Sequence, residues 1–65
     1  MTAIELEINW RIRDDRYRHN AKRGQYLTPE SAAAVVYNRV QEANLLGNAE
    51  LLRMAWTWTA PERKP

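Results

Sequence analysis

The sequence predicts an α+β fold: a small, mostly antiparallel three-stranded sheet with one helix across one face, in the order β-β-α-β. Three observations predict it. Near the N-terminus, Ile4, Leu6, Ile8, Trp10 and Ile12 alternate with Glu5, Glu7, Asn9, Arg11 and Arg13. Near the C-terminus, Leu52, Met54, Trp56 and Trp58 alternate with Arg53, Ala55, Thr57 and Thr59. Between them, Ala32, Val36, Val40 and Ala43 recur at three- and four-residue spacing. Period two reads as a strand with one buried face, and the longer period as an amphipathic helix.

The first strand is expected over residues 3–13. A helix is its rival. Thr2 and Glu5 have capping-box spacing, and Glu7 and Arg11 stand four residues apart. Such a helix would carry Ile4, Ile8 and Ile12 on one side and Leu6 and Trp10 on the other. Only a dimer or a sandwiched helix could bury both stripes. The alternative architecture is therefore all-α, a helical hairpin or a three-helix dimer. The strand needs one partner face and is preferred.

Residues 14–23 have almost no apolar content and are expected to form a loop. Gly24 marks a turn or a strand start, and Gln25-Tyr26-Leu27 a short second strand. The two strands would then make a hairpin with a long, arginine-rich tip. Thr28-Pro29-Glu30 is a helix start: a cap, a proline where no donor is needed, and an acid at the positive helix end. Gly47 stands where a left-handed residue closes a helix, with Asn48 in the same turn. About eighteen residues of helix are expected between them. Residues 51–59 read as the third strand, with a helix over 50–54 as its rival. Pro61 ends that element. Residues 1–60 form one small domain, and 61–65 a frayed charged tail. The expected core is Ile4, Leu6, Ile8, Trp10, Ile12, Leu27, Val36, Val40, Leu52, Met54, Trp56 and Trp58. The other sheet face would present Glu5, Glu7, Asn9, Arg11, Arg13, Arg53, Thr57 and Thr59.

A net charge of +2 hides an uneven distribution. Residues 1–10 carry −2, residues 11–23 carry +4, residues 24–59 carry −1 and the tail +1. Arg11, Arg13, Arg16, Arg18, Lys22 and Arg23 lie in one short window with Asp14 and Asp15. Arginine forks onto carboxylate or phosphate, so this window, with Tyr17 inside it, is the expected partner-binding site. The bland reading is a solvated loop whose arginines pair locally with Asp14 and Asp15.

The sequence points away from catalysis. With no cysteine, one histidine (His19) and one serine (Ser31), no nucleophile, metal set or cofactor site assembles. Asp14 and Asp15 are adjacent and point apart in most backbones. Gly24 and Gly47 are isolated, so no phosphate-cradling loop exists. The longest apolar run, Ala32 to Tyr37, is far short of the ~20 residues that span a bilayer. The acidic N-terminus differs from a secretory signal. A cytoplasmic location is expected.

Tyr26-Leu27-Thr28-Pro29-Glu30-Ser31-Ala32 leads from a short strand into a helix, with an aromatic-rich strand after it. This layout resembles very small phage and bacterial accessory proteins of strand-strand-helix-strand form, such as phage-encoded inhibitors of bacterial RNA polymerase. The resemblance implies a tiny non-enzymatic protein, phage or mobile-element encoded, that binds a larger host machine. The expected partner is a larger protein with an acidic surface, with nucleic acid as the alternative. A small sheet with open edges also predicts a homodimer formed through those edges.

Overall fold

Local chemistry at the helix ends decides the architecture. At the N-terminus, the Glu5 amide donates to Thr2 Oγ1 at 3.1 Å and the Thr2 amide donates to Glu5 Oε2 at 3.3 Å. That reciprocal capping box opens a helix, α1, over Ala3–Lys22. One turn on, Arg11 Nη2 donates to Glu7 Oε1 at 2.8 Å. Gly24, at φ 82°, closes the helix: its amide donates to the Ala21 carbonyl, and the Gln25 amide to the Asn20 carbonyl. Those two bonds form a Schellman motif, which favours glycine at the left-handed residue.

The second helix, α2, spans Pro29–Leu46. Thr28 Oγ1 accepts from the Ser31 amide at 3.1 Å, and Gly47 at φ 60° ends the helix. The sequence reading of this element holds at both boundaries. The third helix, α3, spans Ala49–Thr57 and is capped by Asn48, whose Oδ1 accepts from the Leu51 amide at 3.0 Å. Gly47 and Asn48 thus stop one helix and start the next.

The computed structural model describes residues 1–62. It is three helices, with no strand among the described residues. The expected α+β sheet is therefore wrong, and the all-α alternative describes the chain. Residues 3–13 and 51–57 are helical, residues 24–28 are irregular, and residues 14–22 continue α1 instead of forming a loop. A homodimer through sheet edges falls with the sheet. The strand-strand-helix-strand layout behind the phage resemblance is not the layout of this chain. Of the expected tail, residues 63–65 lie outside the described residues.

The reason for the error lies in α1. Apolar residues at 4, 6, 8, 10 and 12 alternate along a strand, but around a helix they fall on two opposed faces. One face holds Leu6 and Trp10, both fully buried. The other holds Ile4, Ile8 and Ile12, which are 72%, 51% and 54% exposed. Three of the expected core residues are therefore on the surface, and Trp56 joins them at 66% exposure.

The core forms around Leu6, Trp10, Ala43, Leu51 and Ala55. Val40, Leu46, Leu52 and Met54 pack partly buried against it. Ala43 and Ala55 are both fully buried, so α2 and α3 approach closely as a hairpin with little side chain between them. Helix α1 meets that hairpin through Leu6 and Trp10 in the core and Asp14 on Arg39, and one turn on Tyr17 meets Trp58, just after α3.

The left-handed turn at Gly47 yields a direct test. A Cβ there meets nothing within 4 Å, so Gly47→Ala adds backbone strain without a clash. The expected loss is about 1 kcal/mol, a fall in Tm of about 4–8 °C for a domain of this size. Thermal unfolding followed by circular dichroism checks it; an unchanged Tm would show that this turn does not set the hairpin.

Candidate interaction surface on the first helix

Helix α1 carries both the basic window and an internal electrostatic node. The node comes first, because it decides which charges remain outside. Arg39, on α2, is 4% exposed. Its Nη2 donates to Asp14 Oδ1 at 2.6 Å and to the Trp10 carbonyl at 3.3 Å. Its guanidinium carbon lies 4.9 Å from the Trp10 ring centroid and 5.2 Å from that of Trp58. Trp58 Nε1 donates to the same Asp14 Oδ1 at 2.7 Å. Tyr17 meets Trp58 edge-on, with ring centroids 6.1 Å apart. One carboxylate thus joins α1 to α2 and to the residue just after α3. A planar cation between indoles suits arginine, which is weakly hydrated and stacks on aromatic faces.

Trp58 reaches this position because the chain leaves the helical conformation there, at φ −65° and ψ 134°. Trp10 Nε1 is buried with no hydrogen-bond partner among the described residues. Leaving that donor unmatched costs about 1–3 kcal/mol, which the burial of the large ring offsets.

The node changes the meaning of the basic window. Asp14 faces inward to Arg39 and does not pair with the neighbouring arginines. Arg11 is held by Glu7. Arg13, Arg16, Arg18, Lys22 and Arg23 are all exposed, and none makes an ion pair among the described residues. The expected loop is instead the C-terminal half of a helix, which sets the directions in which these cations project. At ~100° per residue, Arg11, Arg18 and Lys22 share one side of α1. Arg16 and Arg23 share another, and Arg13 projects separately. Tyr17, inside the same window, is half-buried, with its ring edge-on to Trp58.

At the C-terminal end of α1 lies an open groove of about 650 Å³. Arg18, Ala21 and Lys22 of α1 line it, together with Tyr26 and residues 59–62. A second cleft, beside Arg13 and Glu42, is about 60 Å³, with room only for water-sized groups.

His19 stands exposed on α1, and among the described residues no group of three or more His, Asp or Glu side chains is placed to hold a metal ion. No described helix is long and apolar enough to cross a membrane. No protein family model, curated protein or solved structure matches the chain.

Arg39 was missed as a key residue. Its one signal was position: it flanks the α2 apolar stripe defined by Val36, Val40 and Ala43. Nothing in the sequence linked it to Asp14 or Trp58.

Removing Asp14 alone leaves the Arg39 charge buried without a counter-ion. Asp14→Ala is expected to cost about 3 kcal/mol, out of a total of roughly 3–10 kcal/mol for a chain this size. Replacing the pair together, Asp14→Leu with Arg39→Met, is expected to recover most of that loss. Urea unfolding of the two variants checks the order; equal losses would mean that the pair does not act as a unit.

Proposed function

We propose that this chain is a small non-enzymatic interaction module of the cytoplasm, which binds a larger protein with an acidic surface and modulates it. The contact surface is the C-terminal half of α1, with Arg13, Arg16, Arg18, Lys22 and Arg23 at its centre and Arg11 at its edge. One observation carries the reading: Asp14 is engaged inward by Arg39 and Trp58, so the five cations keep their charge for an outside partner. A helical backbone under four of them is already formed before binding, which lowers the ordering cost of association.

The groove beside Arg18 and Lys22 supports a peptide-like contact, because two cations and an aromatic side chain outnumber the one acid, Glu62, in its lining. Carboxylates seated there gain charge-assisted hydrogen bonds. Nucleic acid is the competing partner. The acids Glu5 and Glu7 at the other end of the same helix argue for a bounded contact instead of continuous phosphate tracking.

The test immobilises the chain, captures its partner from lysate and compares the double variant Arg16→Glu/Arg18→Glu. Both positions are exposed, so the fold is expected to persist, which circular dichroism checks. Capture of a defined protein is expected to fall by about tenfold or more, since charge reversal turns attraction into repulsion. Capture unaffected by the double substitution overturns the proposal. Binding to DNA or RNA at low salt that collapses at high salt, with no protein captured, transfers the surface to nucleic acid.

A further inference from the structure

The exposed isoleucine stripe of α1 is a separate surface. Ile4, Ile8 and Ile12 stand one turn apart, each more than half exposed, on the face opposite Leu6 and Trp10. Four-residue spacing of branched aliphatics is the pattern of a packed helix face, and among the described residues nothing covers it. We propose that this face binds a second copy of the chain, with the two α1 helices antiparallel about a two-fold axis.

The charge pattern of α1 selects that occupant and that direction. Glu5 and Glu7 lie in the N-terminal half of the helix, and Arg11 and Arg16 lie further along. A parallel pair joins opposite flanks of the stripe, which would set Glu5 within two residues' rise of the partner's Glu7 and Arg16 on the same seam as the partner's Arg11. An antiparallel pair sets the acidic half of each copy against the basic half of the other. In a two-fold antiparallel pair, each flank of the stripe meets the same flank of the partner. Glu7 and Arg11 share one flank, and Glu5 and Arg16 share the other.

One register satisfies both flanks. With the two-fold axis at the level of Asn9, the partner's Ile12, Ile8 and Ile4 fall at the levels of residues 6, 10 and 14. The six isoleucines then interleave at steps of about 3 Å along the axis. Glu7 stands level with the partner's Arg11, so the existing Glu7–Arg11 pair, 2.8 Å long, extends into a four-charge alternating cluster. Glu5 lies within about three residues' rise, roughly 4.5 Å, of the partner's Arg16.

Six isoleucines are fewer than a standard interface uses, so the pair belongs with small interfaces below about 1,200 Å². Weak association follows, with the chain exchanging between one copy and two. This inference shares Arg11 and Arg16 with the proposed partner-binding surface but does not rest on that reading, and its test leaves all six cations of that window in place.

Sedimentation equilibrium of the whole chain is expected to show a mass rising from 7.7 kDa towards twice that value at ~200 µM, the weak-interface regime. Ile8→Asp, at an exposed position, is expected to keep the helical circular dichroism and to sediment as one copy throughout. Direction is read by cross-linking, because the chain has no cysteine of its own. Ile4→Cys mixed with Ile12→Cys under mild oxidation is expected to yield the mixed disulfide in excess over either homodisulfide. A wild-type mass of one copy at the top concentration, self-association untouched by Ile8→Asp, or a dominant Ile4→Cys homodisulfide would each overturn the inference.

Discussion

One contact between a part-buried carboxylate and a buried guanidinium organises this protein. Helix α1 runs along a closely packed α2–α3 hairpin, but only Leu6 and Trp10 give it large, fully buried side chains. Asp14 supplies the directional part of the attachment. Its single oxygen accepts from Arg39 and from Trp58, whose positions lie 25 and 44 residues away in the sequence. Break that oxygen's contacts and three consequences follow together: a buried cation loses its counter-ion, the residue after α3 loses its anchor, and Tyr17 loses its aromatic neighbour. In a chain this short no second core compensates.

The helix ends were legible in the sequence, and the faces were not. Thr28, Pro29 and Gly47 marked α2 at both boundaries, because capping chemistry is local. Thr2, Glu5, Glu7 and Arg11 carried equally local signals for α1. They were outweighed by the rule that apolar residues belong in one core. That rule assumes a chain that buries its own isoleucines. Here Ile4, Ile8 and Ile12 face outward, so the period-two pattern described two helix faces and not one strand face. In α3 the same ambiguity arose over Leu52 to Trp58, and the Asn48 cap decided for helix.

The candidate site divided in the same way. The basic window is visible as composition. Its conformation depends on where α1 ends, and the Lys22-Arg23-Gly24 sequence was a helix stop as well as a turn. What sets the free charge of the window is the pairing of Asp14 with Arg39, a contact between distant residues that no spacing rule encodes. The same helix therefore has three distinct sides: one faces the hairpin, one bears isoleucine, and the C-terminal half spreads arginine around the remainder.

Hydrogen exchange of the three indole N–H groups, followed by NMR, tests the docking of α1 most directly. Trp10 is fully buried, Trp58 donates to Asp14 and Trp56 is 66% exposed. The expected result is two protected indoles, with Trp10 the slowest and Trp58 losing its protection in Asp14→Ala, and a third, Trp56, that exchanges freely. Three indoles exchanging at the rate of the unfolded chain, in a protein that remains helical, would contradict the account, because α1 would then be formed but not docked.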